Sequence, residues 1–171
     1  MINKIYLNNF EKIKATFQKE GSITFIDFFQ EDFFKILQKD VETLNFKKEK
    51  DPTAYSYSQA NYLFRSKEFS KFVKKLSGRN LRRPIAYLFE WKDYTILNDQ
   101  IKSKTGVDIV FDLTEYWQPE WGGMIIYSDG EGKYIQITPN RNSLTIIKRR
   151  GRKFVKYLNN KSQGRRYILM F

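Results

Sequence analysis

From Pro84 onward the chain reads as eight short apolar or aromatic runs: Ile85–Leu88, Tyr94–Leu97, Val107–Leu113, Met124–Tyr127, Tyr134–Ile137, Leu144–Ile147, Phe154–Leu158 and Tyr167–Met170. Gly, Pro, Asn and charged residues separate them. Runs this short, punctuated in this way, suit strands and are too brief for core helices. Eight of them after a helical region restrict the chain to an α+β fold with a mainly β core, a jelly roll or barrel buttressed by helices. With 171 residues, no internal repeat and no linker long enough to divide it, one domain is expected over 1–171. Within it, 1–83 form a helical buttress with one early strand and 84–171 form the core.

The N-terminal part changes period. Ile5, Phe10, Ile13 and Phe17 recur at helical spacing, so an amphipathic helix is predicted over 3–18. Gly21 breaks it, and Ser22–Phe29 is rich in β-branched and aromatic residues, as a short buried strand would be. Phe33, Phe34, Ile36, Leu37, Val41 and Leu44 predict a second helix with a broad apolar face, and Phe69, Phe72, Val73 and Leu76 a third. Residues 46–62, polar, Pro-containing and interleaved with tyrosines, read as a surface loop whose rings either pack locally or stack on a ligand.

Absent residue types narrow the chemistry. The chain has no cysteine, which excludes disulfides and thiolate metal sites, and no histidine, which removes the commonest transition-metal ligand and the usual general base near neutral pH. Ser-His-Asp and Cys-His catalysis are therefore excluded. Asp112, Glu115, Asp129 and Glu131 read as solvated charges rather than a paired-carboxylate hydrolase site. No run approaches the roughly 20 apolar residues of a spanning helix, and Met-Ile-Asn-Lys opens the chain without a signal-peptide core. A soluble, cytoplasmic protein is expected.

The net charge of +12 sits at one end. Residues 1–132 carry 20 Lys/Arg against 19 Asp/Glu, whereas 133–171 carry 11 Lys/Arg and no acid. The run Lys148-Arg-Arg-Gly-Arg-Lys153 joins two predicted strands as a projecting hairpin tip. Lys148, Arg149, Arg150, Arg152, Lys153, Lys156, Lys161 and Arg165 form the candidate nucleic-acid surface, where phosphate neutralisation and counterion release would supply affinity. The plainer reading is a solvated basic face.

Several segments, taken in order, carry a resemblance: Phe89-Glu-Trp-Lys-Asp-Tyr-Thr-Ile-Leu-Asn-Asp99, Asp112-Leu-Thr, Trp117-Gln-Pro-Glu-Trp-Gly-Gly, Pro139-Asn-Arg-Asn142, Phe154-Val-Lys-Tyr-Leu-Asn-Asn160 and Gly164-Arg-Arg-Tyr167. Together they resemble the Fe(II)- and 2-oxoglutarate-dependent oxygenases, in particular the prolyl-hydroxylase-like branch. The resemblance implies a double-stranded β-helix, a distorted jelly roll, in agreement with the strand count. It also implies an Fe(II) held by two histidines and a carboxylate, with positions left open for 2-oxoglutarate and oxygen.

At the positions the resemblance points to, those ligands are replaced. The first histidine and the carboxylate correspond to Asn98 and Gln100, with Asp99 between them, and the distal histidine to Asn160 or, one residue earlier, Asn159. Amide oxygens are weak, neutral ligands poorly matched to such a centre. These asparagines are either structural polar residues or the remnant of a metal or small-anion site. The basic residue that grips 2-oxoglutarate corresponds to Arg166, and a guanidinium can hold a carboxylate through two parallel hydrogen bonds. The alternative is that Arg165 and Arg166 merely decorate a hairpin, one pointing in and one out.

Two functions follow. One is a catalytically degenerate binding module that uses its basic C-terminal surface to hold a polyanion, RNA, DNA or a ribonucleoprotein, and that has no cofactor. The other is an active 2-oxoglutarate-dependent protein (prolyl) hydroxylase, or another dioxygenase, using Fe(II) with non-standard ligands. The missing histidines favour the first. The Trp-Gly-Gly stretch is read as architectural, its glycines letting strands approach closely.

Overall fold

Period-two alternation in the C-terminal half decides where the two halves of a folded-over sheet meet. The computed structural model describes residues 1–95, 106–128, 132–149 and 151–171. Its helices are α1 (Lys4–Asn8), α2 (Phe10–Glu20), α3 (Glu31–Glu42) and α4 (Lys67–Ser77). Its strands are β1 (Ser22–Phe25), β2 (Lys47–Asp51), β3 (Tyr55–Asn61), β4 (Ile85–Phe89), β5 (Tyr94–Thr95), β6 (Val107–Asp112), β7 (Ile125–Ser128), β8 (Tyr134–Ile137), β9 (Ser143–Lys148), β10 (Arg152–Val155) and β11 (Arg166–Met170). Every pairing is antiparallel, in the order β1-β9-β6-β11-β4-β3-β5-β10-β7-β8, with β2 added to β3.

The path doubles back on itself. Phe89, Val110, Ile147 and Ile168 from β4, β6, β9 and β11 pack against Ile125, Tyr127, Ile137 and Val155 from β7, β8 and β10 to fill a narrow interior. The alternate residues Leu88, Phe111, Ile146 and Leu169 point the other way, into a second core shared with the helices. A strand buried on both faces has no room for an unpartnered charge. The two aspartates on the inner face of β6, Asp108 and Asp112, are therefore the positions to explain.

The helical layer forms for local reasons. Ser66 caps α4 by accepting from Phe69 N at 3.0 Å, and Gly78, at φ 71°, ends it with its N–H on Lys74 O. Phe69, Phe72, Val73 and Leu76 are buried as predicted. In α3, Phe34, Leu37 and Val41 face the core, but Ile36 is 57% exposed and lies off that face. The single helix predicted over 3–18 is two helices. Asn9 sits at the break and its side-chain amide donates to Ile5 O at 2.8 Å, the local competition with backbone bonding that makes asparagine a poor helix interior. None of the described helices is long and apolar enough to cross a membrane.

Residues 46–62 correct the loop expectation. They form the β2–β3 hairpin, and β3 bridges the two halves of the sheet by pairing β4 on one side and β5 along part of its length. Its sequence, Tyr55-Ser-Tyr-Ser-Gln-Ala-Asn61, alternates with period two, and Tyr57 packs into the interior. Ser56 is buried and donates to Asp93 at 2.7 Å, and Lys48 of β2 pairs with the same carboxylate. Small hydroxyls with a partner are acceptable in a buried strand, so a polar composition concealed a strand pattern.

Candidate functional site: two charge clusters inside the barrel

The inner face of β6 presents Asp108 and Asp112, four residues apart and hence on the same side of a strand. Each is nearly inaccessible, at 3% and 1% exposure. The reading of Asp112 as a solvated charge is thereby overturned: β6 is an inner strand, and position 112 faces inward.

Asp112 meets Arg166 of β11. Register places Ile168 opposite Asp112, which makes Arg166 its diagonal neighbour on the same face. Arg166 is 0% exposed and donates from Nε at 3.2 Å and Nη2 at 2.9 Å, both to Asp112 Oδ2, while Thr114 N donates to Oδ1 at 3.0 Å. Arg166 Nη1 donates to Gly123 O. This buried guanidinium is thus held by an internal carboxylate and a backbone carbonyl. Arg165, next in line, points outward and pairs with Glu90 at 2.9 Å.

Gly123 reaches Arg166 because of the stretch before it. Trp117 and Trp121 pack edge to face at 5.2 Å, and Trp117 Nε1 donates to Gly122 O at 3.0 Å. Gly122, at φ 84° and ψ −143°, lies in a region open essentially to glycine. An added Cβ there would stand 2.1 Å from Tyr157 O, so the backbone crosses where no side chain fits. Gly123 N then donates to Lys156 O at 3.0 Å, and its carbonyl faces inward.

Asp108 anchors the second cluster. Arg149 Nε donates to its Oδ1 at 3.0 Å, with Nη2 on the same oxygen, and Tyr127 Oη donates to Oδ2 at 2.9 Å. Lys153, paired in register with Tyr127, brings its Nζ to 3.6 Å of Oδ2. Burial works to raise the Asp108 pKa, but the Arg149 hydrogen bond, the Lys153 and Arg149 charges and the Tyr127 hydroxyl outweigh it and hold the carboxyl below its usual range. Burial, then the Asp108 charge, pushes the Tyr127 phenol well above its usual value. The Lys153 ammonium is pulled down by burial first, with Asp108 opposing and Arg149 adding to the fall. More than a third of that side chain still reaches solvent, which limits the effect.

The other predicted site residues are scattered. Asn98, Asp99, Gln100 and Arg150 lie outside the described residues. Asn160 is exposed on the turn between β10 and β11 and Asn159 precedes it there, bonded to Trp121 O and Glu120 O, so neither stands on the barrel's inner face. The inward positions of β10 are Lys153 and Val155, and the strand ends at Val155, before Asn159 and Asn160. Arg149 and Lys153 do not project from a hairpin tip, because Asp108 draws both inward. Lys148 donates to Gln18 O at 3.1 Å and lies over the Phe17 ring. Arg152, Lys156 and Lys161 are exposed. Sequence reasoning missed Asp108 and Tyr127; the available signal was Asp-x-x-x-Asp within a strand too apolar to be solvated on either face.

No family model matches the chain, and neither does any curated protein sequence. Solved structures do. A Pseudomonas putida prolyl-4-hydroxylase superposes with a TM-score of 0.71 over 95% of this chain and 96% of its own, at 12% identity. A Trichoplax adhaerens prolyl hydroxylase, solved in complex with a hypoxia inducible factor peptide, gives 0.73 over 98% and 91%, at 14% identity. The fold is the double-stranded β-helix of the 2-oxoglutarate oxygenases. A Burkholderia pseudomallei 2-oxoglutarate-Fe(II) oxygenase agrees, at 0.72 over 94% and 88% with 11% identity. At such identities the likeness establishes the oxygenase architecture, and the chemistry must be argued from the side chains.

Among the described residues no group of three or more His, Cys, Asp and Glu side chains could hold a metal ion. Asp108 and Asp112, the two carboxylates on the inner face of β6, are each bound by a guanidinium.

Proposed function

We propose that this chain is a non-catalytic binding protein built on the 2-oxoglutarate oxygenase fold, and that its cationic surface holds a polyanion, RNA, DNA or a ribonucleoprotein. The observation that carries this reading is that, among the described residues, Asp108 with Arg149 and Lys153, and Asp112 with Arg166, are spent on one another inside the barrel. An oxygenase centre needs neutral nitrogen donors beside a carboxylate, and this chain has no histidine. Beside its inner carboxylate Asp108 stand Arg149 and Lys153, cations that repel a metal ion. A 2-oxoglutarate carboxylate seeking Arg166 would have to displace Asp112 from a dry site. The residues described therefore do not fit Fe(II) or 2-oxoglutarate.

What remains is charge directed outward. Of the 11 cations after residue 132, Arg141, Arg149, Lys153, Arg165 and Arg166 are matched to carboxylates. Lys156 and Lys161 stay exposed, and the chain beyond residue 132 contains no acidic residue. Such a face acts on phosphates by counterion release and positions a polyanion without reading its bases. In fluorescence anisotropy, labelled single-stranded RNA and duplex DNA are expected to bind at about 50 mM salt and to weaken steeply towards about 200 mM, with a linear log–log dependence. Absence of binding to either at the lower salt would refute the polyanion reading.

A further inference from the structure

The sequence carries a second positive cluster that the C-terminal charge count passes over. Lys74, Lys75, Arg79, Arg82 and Arg83 fall within ten residues that contain no acid. Gly78, at φ 71°, turns the chain out of α4, so Arg79 and Arg82 follow on an exposed segment rather than on the helix. This segment forms one wall of a cleft of ≈ 600 Å³. The opposite wall is the end of the sheet, where Arg149 N donates to Gly106 O at 2.8 Å. Val73, Ile109 and Phe171 contribute apolar surface to the lining.

Three features set this cleft apart. Arg79, Arg82 and Arg149 line it, and no described lining residue is a carboxylate. The cleft between α2 and α4 has Glu11 and Glu68 in its walls, and the one beside Trp121 has Glu42 and Glu115. Arg149, whose Nε and Nη2 are already held by Asp108, adds positive charge to the lining without supplying a donor fork. No described hydrogen bond or ion pair occupies the Arg79 or Arg82 side chain, so these two donors are available. Guanidinium forks match phosphate oxygens bidentately, and the cleft volume falls within the roughly 300–1,000 Å³ of small-molecule sites.

The geometry points to a nucleotide-phosphate site: Arg79 and Arg82, from the helical half of the chain, hold a phosphate ester whose base or sugar rests on the apolar lining, while the Asp108-bound Arg149 adds positive charge from the β half. This rests on the polyanion reading and places its principal contact in the cleft between the two halves. The source is either a free nucleotide or one unit of a strand. The test compares the intact protein, an Arg79→Ala/Arg82→Ala variant and a Lys156→Ala/Lys161→Ala variant, the last altered beyond the far end of β10. Each is titrated with a labelled single-stranded oligonucleotide and with a labelled nucleoside monophosphate, across salt. The cleft variant is expected to lose about tenfold or more in affinity for at least one ligand, and its salt slope for the strand to shrink by about 1.4, two contacts at about 0.7 each. The lysine variant is expected to lose less. A loss confined to the mononucleotide identifies a free-nucleotide site, and a loss on the strand identifies a strand site. If the intact protein binds but the cleft variant matches it with both ligands, the cleft assignment is overturned and the polyanion reading stands. If the intact protein binds neither, both are overturned. Arg79 and Arg82 are exposed, so an unchanged circular dichroism spectrum and melting curve are expected to accompany the loss.

Discussion

Asp112→Ala is expected to destabilise the protein by ~3–5 kcal/mol, because it leaves the Arg166 guanidinium buried with no countercharge. That is a large share of the ~5–15 kcal/mol by which ordinary domains are stable. Gly123 O would remain as a hydrogen-bond partner but offers no negative charge. The effect belongs to the broken pair rather than to the pair as such. An Asp112→Leu/Arg166→Met double variant removes both charges at similar volume and is expected to be more stable than Asp112→Ala. Urea unfolding of the parent, Asp112→Leu, Arg166→Met and the double variant gives the coupling energy, with Asp112→Ala measured beside them. A cost below ~1 kcal/mol for Asp112→Ala would mean that water or another group compensates Arg166, and the interior would not be sealed as described.

The second large effect belongs to Gly122. An alanine Cβ would lie 2.1 Å from Tyr157 O, and the backbone at φ 84° and ψ −143° is one that a side-chain-bearing residue rarely adopts. Strain of ~1–3 kcal/mol for the conformation and ~1–3 kcal/mol for the overlap gives an expected loss of roughly 2–6 kcal/mol. The neighbouring hydrogen bonds Gly123 N to Lys156 O and Asn159 N to Trp121 O would be pushed apart, and Gly123 O would move away from Arg166. Gly123→Ala is the control. There the nearest contacts are side-chain carbons of Leu158 and Trp117, both at 3.2 Å, which can give way, although φ is again positive at 73°. Gly122→Ala is therefore expected to unfold at the lower urea concentration of the two, and a midpoint equal to the parent's would contradict the close crossing.

These two positions show what was legible in the sequence. The Trp-Gly-Gly stretch was visible as a place where strands approach closely, because glycine pairs beside tryptophans have few other uses in a crowded β-core. The eight C-terminal runs were visible because alternation and punctuation are local properties; six have their strands within two residues of the expected bounds, the strand at Phe154–Leu158 starts two residues earlier and ends three residues earlier, at Val155, and of Tyr94–Leu97 only Tyr94–Thr95 is described. The hairpin at 47–61 was not visible, since a serine that bonds to Asp93, as Ser56 does, looks the same in sequence as one that bonds to water. The destination of charge was the least legible feature. Arg149 and Lys153 sit in a run of cations that reads as a solvated tip, and only the three-dimensional approach of β6 shows that Asp108 claims both. Asp112, Arg166 and Gly123 lie up to 54 residues apart, and no local rule links them.

The same long-range contacts make the central claim testable at one point. If Asp112 occupies Arg166 and the cations around Asp108 leave no place for a metal, the barrel interior is closed to the cofactors of the oxygenases whose architecture it shares. Anaerobic titration of the full chain with Fe(II), in the presence of 2-oxoglutarate, is expected to leave the visible spectrum without a metal-to-ligand charge-transfer band at any ratio. A tight band that saturates at one Fe(II) per chain would contradict the account.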